Sequence, residues 1–228
     1  MTTKKIVCFF LTFFIINIAF SKEKASRLEL LSGRKKVDDR AFWDKKFSKK
    51  GYVFGKYPAK FLADNFRYIP AGAHVYDIGM SEGRNAIFLA MKGYTVTGID
   101  ISKVAIRKAK LLARENGVRI NTILSSVQRM KIKPNSLDAI ICFYYVDRKM
   151  NRHLSKWLKP GGILIYEAHT LKQRKVRGQE NYNIKYLLRE GELLNMFSGF
   201  KILKFEEPLH RQEFTASIIL QKNSGFSR

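Results

Sequence analysis

The apolar positions of this chain change period repeatedly, and the changes mark out its elements. His74 to Ile78 reads as a strand, and Gly83 to Lys92 as a helix with Ala86, Ile87, Ala90 and Met91 on one face. Tyr94 to Ile99 is a second strand. Ser102 to Asn116 is a helix, with Ser102 as its N-cap and Gly117 as its stop. Strands follow at Ile120 to Leu124 and Leu137 to Phe143. A helix at Asn151 to Leu158 is ended by Lys159-Pro-Gly-Gly162, and Ile163 to Ala168 is the fifth strand. Ile184 to Met196 reads as a helix, and Phe200 to Phe205 and Phe214 to Gln221 as the closing strands. Upstream, Asp39 to Lys50 and Lys60 to Tyr68 read as short helices around a loop rich in glycine and aromatic residues, Gly51 to Pro58.

Strand and helix alternating in this way predict an α/β fold: one Rossmann-like, doubly wound sheet of seven strands. It should be mostly parallel, with helices on both faces and the last strand antiparallel. Continuous apolar strands such as Ala139-Ile-Ile-Cys-Phe143 suit a sheet covered on both sides. The expected organisation is a hydrophobic segment outside the fold (1–21), a basic linker (22–38), one domain (39–222) opening with an N-terminal lid (39–70), and a tail (223–228).

The segment 1–21 carries Lys4 and Lys5 ahead of the apolar run Ile6 to Phe20, and Ala19-Phe20-Ser21 supplies small residues for signal-peptidase cleavage. The run is short for a spanning helix. Lys22, Lys24, Arg27, Arg34, Lys35 and Lys36 follow it, which would hold the domain in the cytoplasm if the run stayed as an anchor. A cleaved export signal, a retained membrane anchor and a start-site artefact all stay open, and with them the compartment.

In a doubly wound sheet, ligands bind beyond the carboxyl ends of the strands. The first such end reads Val75-Tyr-Asp-Ile-Gly-Met-Ser-Glu-Gly-Arg-Asn85. Gly79 and Gly83 permit a sharp strand-to-helix turn with close approach to a ligand, and the next helix offers free N–H groups. The second strand ends in Asp100, an acid placed to accept from the two hydroxyls of a ribose. The frame of a pyrophosphate loop fails, because Ser81 and Arg84 stand where glycines would be needed. Asp77 would also repel a pyrophosphate, whereas it suits a ligand bearing an ammonium.

These residues resemble a class I S-adenosylmethionine-dependent methyltransferase, of the small bacterial group related to the tellurite-resistance and thiopurine methyltransferases. Phe42-Trp-Asp-Lys-Lys-Phe with Gly51-Tyr-Val-Phe-Gly resembles that group's cofactor-covering segment. Asp77 to Ala90 resembles its glycine motif, Ile99-Asp-Ile-Ser102 its ribose-binding acid, and Leu158-Lys-Pro-Gly-Gly-Ile-Leu164 its fifth-strand motif. The resemblance implies S-adenosyl-L-methionine as cofactor. Asp77, Gly79 and Gly83 would hold its methionine part, and Asp100 and Ile101 its ribose. Ser126 and Val127 would flank the adenine, Phe143 would line the site, and Tyr57 would cover it. Two departures from the group are visible. Ser81 replaces the middle glycine, and the adenine-contacting acid is missing from Leu124-Ser-Ser-Val-Gln128. Both point to weakened cofactor binding, and a binding module without turnover is therefore an alternative to an enzyme.

Methyl transfer needs alignment more than a protein nucleophile, and a base only where the acceptor loses a proton. Candidate catalytic residues are Tyr144 and His169, with Tyr145 and Glu167 beside them and His210 near the last hairpin. The strand-four end, Cys142-Phe-Tyr-Tyr-Val-Asp147, lacks the motif of nucleic-acid amino-methylating enzymes, so a small molecule, a thiol or a metalloid oxyanion, is the expected acceptor.

Composition adds one tension. There are 43 basic and 19 acidic residues, a formal net charge of +24, which attracts polyanions and keeps RNA methylation as the rival reading. The densest basic stretches are Arg34–Lys36, Lys45–Lys50 and Lys172–Arg177, the last on the acceptor side of such a fold. The scattered histidines and two cysteines, Cys8 and Cys142, predict neither a metal site nor a disulfide framework. Oligomeric state is not legible.

Overall fold

The computed structural model describes residues 39–197, 199–208 and 213–224. The expected signal or anchor, the linker 22–38 and His210 lie outside the described residues. Two units divide the chain, residues 1–42 and 43–228. Of the first, only 39–42 are described, the opening turn of helix α1 (Asp39–Phe47). Among the described residues no helix is long and apolar enough to cross a membrane.

The second unit is built on seven strands: β1 (His74–Ile78), β2 (Thr95–Asp100), β3 (Asn121–Leu124), β4 (Leu137–Phe143), β5 (Leu158–His169), β6 (Phe200–Glu206) and β7 (Thr215–Lys222). They lie in the order β3-β2-β1-β4-β5-β7-β6. The first five pair in parallel, and β7 inserts antiparallel between β5 and β6. The expected doubly wound sheet with an antiparallel last strand is what the chain forms.

Alternating strand residues feed two cores, as a sheet covered on both faces requires. On one face Val75, Ile141 and Phe143 pack with Leu62 of α2 (Lys60–Asn65), Leu89 of α3 (Arg84–Met91) and Ile106 and Ala109 of α4 (Lys103–Glu115). On the other, Ile78, Ile140 and Cys142 pack with Leu154 and Trp157 of α5 (Asn151–Trp157) and Leu193 of α6 (Glu192–Met196). The apolar stripe of α4 accounts for its length, and Ser102 caps it by accepting from the Ala105 N–H at 3.1 Å.

Two expectations need correction. Ile184 to Met196 is not one helix. Ile184–Tyr186 is a single 3-10 turn and only Glu192–Met196 is α-helical. Between them Leu188 bridges Thr170, donating its N–H to His169 at 2.9 Å and accepting from Leu171 at 2.8 Å. The apolar spacing of Ile184, Leu187 and Leu188 looked helical, but Leu187 and Leu188 are buried by an extended segment laid beside the end of β5, and Gly191 at φ 68° starts the helix afresh. Lys159-Pro-Gly-Gly162, expected as a break before the fifth strand, belongs to β5 as an irregularity. The pairing jumps from Leu137↔Leu158 to Ala139↔Ile163. Gly162 is required there, since a Cβ would lie 2.9 Å from the Lys159 carbonyl oxygen.

Candidate functional site

The ends of β1 and β2 bring two carboxylates together. Asp77 is 2% exposed, and its Oδ2 is buried without a hydrogen-bond partner. Burial first, then the nearby charge of Asp100, raises its pKa to about 7, while Arg84 and the Ala86 N–H pull the other way. Asp100 is also buried, and burial raises its pKa. Its Oδ2 accepts the Ser81 N–H and its Oδ1 the Ser102 N–H, each at 2.8 Å. These bonds orient the carboxylate and leave acceptor capacity for ribose hydroxyls.

The loop between them is tightly built. Gly79 has φ 71°, and a Cβ there would stand 3.2 Å from the Tyr145 Cβ. Gly83 has φ 89°, and a Cβ would press to 2.8 Å on Ala109 of α4 and Ile87 of α3. Ser81 adopts φ 58°, a left-handed conformation that glycine takes freely and serine does not, and its hydroxyl is buried unpartnered.

The remaining cofactor candidates take different places. Ile101 follows Asp100 and contributes a backbone hydrogen bond to its carboxylate. Val127 is buried and Ser126 half-buried at a 3-10 turn whose preceding residue, Ser125, donates its N–H to the Asp100 carbonyl. Gln128 of that turn reaches the Tyr145 hydroxyl at 3.0 Å. Tyr145, whose pKa burial raises, thus spans from Gly79 to the 126–128 turn. Phe143 is turned into the α2–α4 core. Tyr57 is 87% exposed.

A second cluster occupies the ends of β4 and β5. The Tyr144 hydroxyl donates to Glu167 Oε1 at 2.8 Å, and Ser217 of β7 donates to Glu167 Oε2 at 2.6 Å. The His169 ring lies between Tyr144 and Tyr182, with centroids 4.7 and 5.6 Å away. His169 Nδ1 is buried without a partner, and burial followed by the Arg84 charge lowers the pKa to about 4, so the ring is neutral at physiological pH. Arg84 lies over the Tyr144 ring at 5.5 Å and joins the two clusters. Tyr144 holds φ 58°, uncommon for a bulky residue.

Sequence reasoning missed how the segment from Asp44 to Ala59 is fastened to the strand-end loop and α4. Glu82, 2% exposed between the two strained loop positions, accepts the Val53 N–H at 2.7 Å and the Lys108 ammonium at 2.9 Å. Lys108 also donates to the carbonyls of Lys49 (2.8 Å) and Gly51 (2.6 Å), which uses all three of its protons. Arg84 donates to the Phe54 carbonyl, Asn85 accepts the Ala59 N–H, and Asp44 accepts from the Ser102 hydroxyl and the Val104 N–H. The only local signal was an acid flanked by turn residues at Ser81 and Gly83. The Lys172–Arg177 stretch is partly neutralised: Lys172 pairs with Glu190 and Arg174 donates to the Glu180 carbonyl.

The family model of a methyltransferase domain matches residues 75–162, the span from the first carboxylate loop to the β5 irregularity. Residues 75–162 carry a methyltransferase domain. The chain is 35% identical over 97 residues to a ubiquinone biosynthesis O-methyltransferase of Rickettsia canadensis, covering 40% of each chain. It is 31% identical over 104 residues to the protein of that name from Chromobacterium violaceum, covering 43% of this chain and 45% of the relative. The chain therefore matches less than half the length of these curated relatives. Solved structures share the fold. One described under conversion of a disulfide bond into a thioacetal group during echinomycin biosynthesis has a TM-score of 0.65 at 18% identity, covering 82% of this chain and 94% of its own. TehB from Haemophilus influenzae has a TM-score of 0.59 at 18% identity, covering 81% and 67%. Magnesium protoporphyrin IX methyltransferase from Synechocystis PCC 6803, with its cofactor bound, has a TM-score of 0.59 at 17% identity, covering 83% and 100%. The likeness to TehB is one of fold.

The residues present fit this family's cofactor. The unpartnered Asp77 oxygen is an acceptor awaiting a cationic donor, which the ammonium of the methionine part provides. Asp100, oriented on the neighbouring strand end, suits the ribose.

Proposed function

We propose that the protein transfers a methyl group from S-adenosylmethionine to a protic small molecule, a hydroxyl compound in the first place, seated against the ends of β4 and β5. The carrying observation is the buried, unpartnered Asp77 oxygen beside Asp100 across β1 and β2. Bound there, the cofactor supplies an electrophilic methyl group on a sulfonium. Asp77 anchors the ammonium, Asp100 the ribose, and the Gly79 turn lets the backbone approach closely. Arg84 ties this half to the acceptor half by covering Tyr144.

At the acceptor side, neutral His169 would accept the proton that a hydroxyl acceptor loses on methylation. Tyr144, fixed by Glu167, packs its ring at a tilt against the imidazole. An acceptor with a proton to lose makes use of such a base, whereas a metalloid oxyanion has a lone pair ready and needs none. The relatives' names support oxygen over sulfur.

Transfer of labelled methyl to a panel of phenolic hydroxyls, thiols, metalloid oxyanions and RNA tests the reading. Label on a hydroxyl, lost on substituting His169, supports it. Label on oxyanions or RNA alone overturns the acceptor assignment. Absence of calorimetric heat with S-adenosylhomocysteine at millimolar concentration overturns the cofactor assignment and favours a degenerate module, for which the strained, unpartnered Ser81 is the specific support.

A further inference from the structure

The outer face of α4 carries Lys103, Arg107, Lys110 and Arg114, all exposed. The spacing of four, three and four residues aligns them in one narrow stripe along the helix. Lys45, Lys49 and Lys50 lie alongside: the Lys49 and Gly51 carbonyls are bonded by Lys108 of α4, and Asp44 caps the start of α4. Among the described residues, none of these seven side chains makes an ion pair or hydrogen bond. The acids that could neutralise them are already engaged. Asp44 caps α4, Glu82 is buried on Lys108, and Glu115 pairs with Lys56. The result is a face of unpaired cations on a helix packed against β2 and β3, with β1 standing between these strands and β4.

We infer that this face docks on an anionic lipid surface. Three observations favour lipid over polynucleotide. The stripe lies on a helix over the β2 and β3 edge of the sheet, whereas Tyr144 and His169 stand at the ends of β4 and β5, beyond β1, so a polyanion lying along the stripe is centred away from them. Five of the seven cations are lysines, compact point charges suited to a diffuse surface potential rather than to forked recognition. Leu111 of α4 and Phe54 of the adjoining loop are 49% and 39% exposed, apolar groups of the kind that enter a headgroup layer.

Flotation of the full-length chain with vesicles of phosphatidylcholine, alone or with phosphatidylglycerol, tests the inference. The apolar run contributes equally to both vesicle types, and its basic flanks are common to all variants, so the change in the ratio between wild type and variant reports the face. Each basic residue at an anionic surface is worth roughly fivefold. Wild type should prefer anionic vesicles by at least about tenfold at low salt and lose the preference at high salt. Reversal of the stripe (K103E, R107E, K110E, R114E) should cut the preference at least about tenfold. A control of equal charge change on the opposite side of the sheet (K131E, K133E, R152E, K156E) should keep it. Glutamine at the four stripe positions serves if the reversed chain does not fold, and should show the same loss. Equal effects from stripe and control, or an unchanged ratio in the stripe variant, overturn the inference. So does a wild type without anionic preference whose stripe is instead needed for RNA binding.

Discussion

The two halves of the site are built by different means. At β1 and β2 the chemistry sits within one short stretch, with Asp77, Gly79, Ser81 and Gly83 in a single turn and Asp100 on the next strand. Its geometry is dictated by positive φ angles and by a Cβ-free approach to α4. At β4 and β5 the working groups come from far apart: Tyr144, Glu167 and His169 from strand ends, Tyr182 from an irregular segment, Ser217 from the last strand. In the function proposed above, the local half would hold the cofactor, and the half assembled from distant pieces would take the acceptor. Arg84, which touches both, is the joint.

Substitutions should separate the halves. The largest effect is expected from D77N, which removes the anion facing the cofactor's ammonium. Cofactor affinity should fall by about 100-fold, the scale of losing one partner of a buried charged contact, with His169 chemistry untouched; calorimetry against S-adenosylhomocysteine reads it. The same residue gives a pH signature. Its folded pKa, about 7, exceeds its unfolded value, so its contribution to the stability of the ligand-free protein is complete at about pH 4 and lost as pH rises through 7. Thermal melts across that window should slope downward in wild type and flatten in D77N. An ammonium ligand favours ionised Asp77, so cofactor binding should tighten from pH 6 to 8 with release of a proton.

Next, H169A should lower kcat by about 100-fold, within the usual range for a lost proton acceptor, while cofactor affinity stays within a factor of two or so. If both constants fall together, the comparison between halves breaks. K108M removes the cation from buried Glu82 and frees the loop carbonyls. It should cost about 3 kcal/mol of stability, as an uncompensated buried charge does, whereas E82Q with K108M should cost less. A larger loss in the double variant than in K108M alone would refute the latch. The smallest effect is a gain: S81G relieves φ 58° and should add about 1 kcal/mol, a rise of a few degrees in melting temperature. No gain would mean that the serine conformation carries no strain.

The same division governs what was legible in the sequence. Asp77, Asp100 and the Ser102 cap were visible because short spacing alone places them. The mostly parallel, doubly wound sheet was visible because alternating strands and helices leave few alternatives. Leu187 and Leu188 misled, since an apolar spacing of three and four is helical only when no neighbouring strand competes, and here Thr170 does. Glu82 could be seen as an acid in a turn, but its partner Lys108 lies a helix away, on a residue otherwise indistinguishable from its basic neighbours. Glu167 and Ser217 meet only because β7 pairs with β5 in one register.

That register has a consequence for how the chain is made. β6 has no place in the sheet until β7 lies between it and β5, so the sixth strand cannot dock in the order in which it leaves the ribosome. Until Thr215–Lys222 emerges, β5 presents a bare apolar edge, the kind that recruits strands from other chains. The closing strand therefore sets the length of the vulnerable interval during synthesis. When it arrives, one motion pairs two strands, brings Ser217 to Glu167, and lands Lys222 on the Ser155 and Leu158 carbonyls at the end of α5.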